Sequence, residues 1–161
     1  MAVSSWWDLF GGTLLTDLRY NNNEQEVTEV KDDTISPGRV FDLENQVPEN
    51  SMVLNFDYSI NNFGALVRVN YYDEWSTTDG VLGDPVNFTV RDYDEAVLVD
   101  IEARYTFMDH YTVAIGGENV FDEYPDDELG DVFNAWGVKY AVTSPFGFNG
   151  AFWYARISAA F

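Results

Sequence analysis

The chain contains no cysteine. That excludes a disulfide framework, a thiolate zinc site and a catalytic thiol, and leaves the compartment open. It has a single histidine, His110, so a His-based triad or a multi-histidine metal site has no partners. Basic residues are scarce: 8 Lys and Arg stand against 28 Asp and Glu, for a formal net charge of -20. A chain this acidic lacks the basic face that backbone phosphates demand, which excludes nucleic acid as a partner. The same charge disfavours peripheral binding to anionic lipid. No stretch approaches the roughly 18 consecutive apolar residues of a spanning helix. The start, Met1-Ala2-Val3-Ser4-Ser5-Trp6-Trp7, has no basic segment and no long apolar core, so it does not read as an export signal. Gly-x-Ser-x-Gly, phosphate-loop and His-Glu-x-x-His patterns are all missing.

What is present is aromatic and alternating. Phe, Trp and Tyr make up 17% of the chain. Helical periodicity is weak, whereas apolar and polar residues alternate over long stretches, the mark of strands with two unlike faces. Leu14, Thr16, Leu18 and Tyr20 oppose Asp17 and Arg19. Met52, Leu54, Phe56 and Tyr58 alternate with Asn55, Asp57 and Ser59. Phe63, Ala65, Val67, Val69 and Tyr71 alternate with Arg68, Asn70 and Tyr72. Val97, Val99, Ile101, Ala103, Tyr105 and Phe107 alternate with Asp100, Glu102, Arg104 and Thr106. A shorter strand carries Tyr111, Val113 and Ile115. The last sets Trp153, Ala155, Ile157, Ala159 and Phe161 against Tyr154, Arg156 and Ser158, and a partial strand precedes Phe10. Tight turns at Phe10-Gly11-Gly12, Ile60-Asn61-Asn62 and Met108-Asp109-His110 alternate with long polar loops at roughly Lys31 to Asn50, Ser76 to Asp92 and Glu118 to Asn149. This predicts an all-β antiparallel up-and-down meander of six or seven strands, one partial barrel domain over residues 1–161, with short turns at one end and long loops at the other.

Alternation alone fits a soluble antiparallel sheet with one face on a core equally well. A soluble β-sheet binding module is therefore the second reading. Two features favour a membrane barrel. Arg19, Arg68, Arg104 and Arg156 are half of the basic residues, and each falls mid-strand on the polar face with Asp17, Asp57, Asp100 and Glu102. A wet lumen holding both charge signs accounts for them. Tyr20, Tyr58, Phe63, Tyr71, Tyr105, Phe107, Tyr111 and Phe161 recur towards strand ends, where membrane interfaces favour amphipathic rings.

Other candidate chemistry reads as bland. His110 sits in a turn. The acidic run Asp122, Glu123, Asp126, Asp127, Glu128 and Asp131 offers oxygen ligands for Ca²⁺ but lacks the EF-hand spacing, so a solvated loop is the better reading. Asp100 and Glu102 lie two apart beside Arg104, which favours charge pairing over acid–base work. Trp136 and Tyr140 read as ligand-stacking rings or as loop packing. No catalytic, cofactor or metal residues are assigned, and the chain is read as not an enzyme.

The C-terminal region carries a specific likeness. Ser144-Pro145-Phe146-Gly147-Phe148-Asn149-Gly150, followed by Phe152-Trp153-Tyr154-Ala155-Arg156-Ile157, resembles the closing loop and last strand of TonB-dependent outer-membrane receptors. Gly117-Glu118-Asn119-Val120-Phe121-Asp122-Glu123-Tyr124-Pro125 resembles the segment leaving their penultimate strand. Phe41-Asp42-Leu43-Glu44-Asn45-Gln46-Val47-Pro48 resembles the element before a barrel strand, with Glu49 and Asn50 in place of the usual basic ending. Val67-Arg68-Val69-Asn70-Tyr71-Tyr72 also fits.

The resemblance implies the C-terminal section of a 22-stranded barrel in the outer membrane of a Gram-negative bacterium, with the plug domain absent. The implied role is uptake of a scarce nutrient, commonly a ferric siderophore, vitamin B12 or a glycan. The implied partners are outer-membrane lipid, the remainder of the barrel and plug, the energy-coupling inner-membrane complex and the outer-membrane assembly machinery. Trp153, Ala155, Ile157, Ala159 and Phe161 would form the assembly signal. Arg19, Arg68, Asp100, Glu102, Arg104 and Arg156 would face the lumen. The export signal and plug are expected upstream, and the chain alone is expected not to transport.

Overall fold

A computed structural model describes residues 1–31, 35–78, 86–128 and 137–160. Its first hairpin rests on two left-handed residues, Phe10 (φ 49°) and Gly11 (φ 79°). That conformation matches the twist of the strands they join, β1 (Ala2–Leu9) and β2 (Gly12–Asn22). Helix α1 (Pro37–Asn45) follows, then β3 (Asn50–Ile60) and β4 (Phe63–Tyr72), joined by a turn with Asn61 at φ 48°. Two short strands, β5 (Trp75–Thr78) and β6 (Val90–Tyr93), lead to β7 (Ala96–Phe107). Met108 and Asp109, both at positive φ, turn the chain into β8 (Tyr111–Glu118), and β9 (Phe152–Ala159) comes last.

Seven strands form one antiparallel sheet in the order β1-β2-β3-β4-β7-β8-β9, and β5 pairs with β6 in a separate two-stranded ribbon. The all-β meander expected from alternation is the observed architecture. The expected loops hold more than loop. The Lys31 to Asn50 stretch contains α1, started by Ser36, whose hydroxyl accepts from the Arg39 N–H, with Pro37 in the first turn. The Ser76 to Asp92 stretch contains most of the β5–β6 ribbon. Both depart from the sequence reading because their apolar runs are short and their stability comes from docking.

The register separates two faces cleanly. One carries Val3, Trp7, Leu14, Leu18, Leu54, Phe56, Val67, Val69, Val99, Ile101, Val113, Ile115, Ala155 and Ile157. No charged residue of the seven strands lies on it. The other carries Asp17, Arg19, Asn55, Asp57, Arg68, Asp100, Glu102, Arg104 and Arg156. The apolar face is uncovered: Ile101 is 37%, Ile115 60% and Ile157 76% exposed.

Aromatic rows bound that face at both ends. Trp7, Tyr58, Phe63, Tyr105, Phe107 and Tyr111 line the turn end, with Phe63 against Tyr105 at 4.6 Å and Phe107 stacked on Tyr111 at 5.5 Å. Tyr20, Tyr71 and Trp153 line the loop end. Phe63 and Tyr71 stand eight positions apart on β4, about 27 Å along a strand and about 20 Å in height at a tilt of about 40°. Seven strands spaced about 4.8 Å span roughly 30 Å. The apolar face therefore covers on the order of 800 Å², against roughly 300–600 Å² for the largest patch on a typical soluble monomer.

The buried core lies elsewhere. Trp75, Tyr93, Ala96, Ala141 and Phe146 are buried together at the loop end, with Tyr72 and Leu98 packed against them. Tyr72, Ala96 and Leu98 point from the polar face, so the loops fold over that face and leave the apolar one bare. Trp75 stacks on Tyr93 at 5.1 Å and Tyr72 on Phe146 at 5.7 Å. Asp42 of α1 accepts from the Thr78 N–H (2.8 Å) and hydroxyl (3.2 Å), tying the helix to the ribbon.

Candidate functional site

The charges of the polar face are paired across strands in three groups rather than scattered. Asp17 accepts from the Ser4 hydroxyl on β1 (2.8 Å) and the Asn55 amide on β3 (3.2 Å), and pairs with Arg19 (2.9 Å). Arg68 donates to Asn55 (2.9 Å) and lies 3.8 Å from Asp100. Asp100 also accepts from the Asn70 amide (3.3 Å) and the Asn119 N–H (2.9 Å). On the other half, Arg104 pairs with Asp57, and Glu102 accepts from the Tyr154 hydroxyl (2.8 Å) and Arg156 (2.9 Å). Asp100 and Glu102 are thus charge-paired as expected, but their cations come from β4 and β9. Arg104, two residues beyond Glu102 on the same strand, turns to Asp57 on β3 instead.

Small residues make those long reaches possible. Arg104 lies opposite Gly64 and crosses it to reach Asp57; a Cβ on Gly64 would collide with the guanidinium. Tyr154 lies opposite Gly116 and crosses it to reach Glu102; a Cβ there would stand 2.5 Å from the tyrosine oxygen. Arg156 passes over Ala114, which is 1% exposed. Glu102, itself 8% exposed, is held by two donors from a strand that is not its neighbour. Nothing in the alternation pattern marks these glycines, because each looks like a gap in a strand.

The expected assembly strand is β9. Trp153, Ala155, Ile157 and Ala159 share the apolar face opposite Gly117, Ile115, Val113 and Tyr111. Trp153 packs flat on Gly117, where a Cβ would be 3.0 Å from its ring. Phe161 lies outside the described residues, as do Trp136 and Asp131.

The acidic loop after β8 does not gather its carboxylates. Asp122 accepts from the Ala151 N–H, Asp126 from the Asp94 N–H, Asp127 pairs with Lys139 at 3.2 Å, and Glu128 takes Arg91 and the Tyr93 hydroxyl. These groups stitch loops together, where a solvated loop was expected. Among the described residues no group of three or more His, Asp or Glu is placed to hold a metal ion. Burial, with Glu128 accepting its proton, holds the Tyr93 hydroxyl up to about 12. Hydrogen bonding to Tyr140, then to Asp127, raises Lys139. Tyr140 is packed between Tyr124 (5.7 Å) and Phe148 (6.0 Å). His110 is a turn residue whose N–H reaches the Phe107 carbonyl at 3.4 Å.

A cleft of about 890 Å³ opens between the loop end of the polar face and the last loop. Asp100, Glu118 and Asn149 line it together with the rings of Tyr124, Phe148 and Phe152. The sequence reading missed it, because its walls come from β4, β7, β8, β9 and the two ends of the long β8–β9 connection. Comparison with family models, curated proteins and solved structures finds no match to this chain.

Proposed function

We propose that the chain is the C-terminal section of an outer-membrane β-barrel of the TonB-dependent receptor type, serving nutrient uptake as part of a larger barrel. The observation that carries this reading is the uncharged, uncovered apolar face bounded by two aromatic rows about 20 Å apart in height, near the roughly 25 Å apolar band of an outer-membrane barrel. In water such a face is an aggregation liability; against acyl chains it is the ordinary lipid surface of a barrel. The paired charges of the opposite face then line a wet lumen, and the loops fold over its mouth. The sequence likeness at Gly117 to Pro125 and Ser144 to Ile157 supplies the family.

The edges support the need for more strands. Among the described residues β1 pairs only with β2 and β9 only with β8. Seven strands alternating in direction leave β1 and β9 running the same way, so joining them directly would make a parallel pair. Open edges in lipid leave backbone groups unpaired at several kcal/mol each. The remainder of the barrel is the natural partner of both edges, and by itself the chain is expected not to transport. On this reading β9, with Phe161, is the strand captured by the assembly machinery, and Arg19, Arg68, Asp100, Glu102, Arg104 and Arg156 face the lumen.

Refolding with and without detergent tests the proposal. The chain should stay monodisperse and β-rich only in micelles. A monodisperse, folded chain in plain buffer would contradict it and favour the soluble module.

A further inference from the structure

Charge decides what the loop-end cleft can hold. Asp100 and Glu118 stand in its walls, and among the described residues no Lys, Arg or His lines it. Arg68 offsets Asp100 from 3.8 Å away, but Glu118 is exposed at the end of β8. An anionic ligand, including a negatively charged metal chelate, would meet uncompensated repulsion in a chain of net charge -20. The rings around the cleft are poorly covered by protein: Tyr124 is 41%, Phe148 48% and Phe152 57% exposed. They offer apolar platforms on a concave surface, the usual economy of a ligand site. Asn149 adds amide donors beside the carboxylate acceptors. A bare cation would use acceptors alone. A ligand carrying hydroxyls and C–H faces uses donors, acceptors and rings together.

We propose that this cleft binds a neutral polyhydroxylated ligand, a short oligosaccharide, and discriminates against anions. Where the ligand comes from rests on the barrel reading, which places these loops outside the cell; the recognition chemistry does not.

The test uses the whole chain in zwitterionic micelles, titrated by calorimetry with cellohexaose, maltohexaose and xylohexaose, and with hexagalacturonate as an anionic counterpart. At least one neutral hexasaccharide should bind saturably, and hexagalacturonate should not. Phe148→Ala, in a loop, should weaken binding about tenfold with the strand circular dichroism unchanged. Glu118→Lys should admit hexagalacturonate. Failure of every neutral probe, equal binding of hexagalacturonate to the unaltered chain, or an unaffected Phe148→Ala variant would each overturn the assignment. Saturable sugar binding by a chain that is monodisperse without detergent would sink the barrel reading and leave the cleft assignment standing.

Discussion

Replacing Gly116 with alanine places a methyl group where Tyr154 crosses β8. The new Cβ would stand 2.5 Å from the tyrosine oxygen, 2.6 Å from Cζ and 2.8 Å from the Ile101 carbonyl oxygen. Tyr154 can swing aside, but the Ile101 carbonyl belongs to β7 and moves only with its strand. If Tyr154 leaves, Glu102 keeps Arg156 at 2.9 Å and loses the hydroxyl at 2.8 Å. Glu102 is 8% exposed, so water does not freely replace that donor. A hydrogen bond to a charged acceptor is worth about 1.5–3 kcal/mol, and crowding a packed site costs about 1–3 kcal/mol. Alanine's smaller unfolded-state entropy returns about 0.4–1 kcal/mol. The net loss should be about 2–5 kcal/mol. Reversible guanidinium unfolding in micelles, followed by tryptophan fluorescence, measures it. Tyr154→Ala removes the clashing ring, so the double variant should be less destabilised than the two single losses added, by at least about 1 kcal/mol. A Gly116→Ala loss under about 0.5 kcal/mol, or strict additivity, would refute the crossing geometry as an energetic feature.

Three further outcomes are expected. Val67→Lys, midway between the aromatic rows on β4 and 39% exposed, should cost about 2–4 kcal/mol in vesicles if that face meets lipid; Ser158→Lys on the opposite face should cost far less, and two changes within about 0.5 kcal/mol of neutral would mean that water covers both faces. Phe10→Asn should stabilise by up to about 1 kcal/mol, read from the denaturation midpoint, because a bulky residue occupies the left-handed turn position there. A lower midpoint would count against the turn geometry. The raised Tyr93 hydroxyl favours the folded loops while protonated, so its contribution should be intact below pH 10 and fade as pH rises through about 12. Absorbance at 295 nm should show this late step, and Tyr93→Phe should lower its amplitude by one tyrosine equivalent.

The sheet was legible because each long strand states its two faces in alternate residues. Val97 to Phe107 is the clearest case, with Asp100, Glu102 and Arg104 interleaved among apolar positions. The turns were legible from Gly11 and Asn61, residues that tolerate left-handed backbone. What escaped was whatever depends on contacts between distant segments. Helix α1 did leave a signal, Ser36 followed by Pro37, but its weakly amphipathic body read as polar loop. The β5–β6 ribbon is four residues a side, too short for alternation to stand out, and it is held by Trp75 on Tyr93 and by Asp42 from the helix. The partners of Glu102 and Arg104 were missed because both bonds skip a strand over a glycine. The cleft was missed because its rings converge from β9 and from both ends of the long β8–β9 connection.

The central claim is that the apolar face of the seven-stranded sheet contacts acyl chains while the charged face contacts water. The absence of cysteine makes it directly measurable. Single cysteines placed in turn from Val97 to Tyr105 on β7 can carry a spin label in vesicle-inserted chain, with collision by oxygen compared against a water-soluble nickel chelate. Labels at 99, 101 and 103 should favour oxygen and those at 100, 102 and 104 the chelate, in a strict period of two. Chelate access at all six positions, or no alternation, would contradict the account.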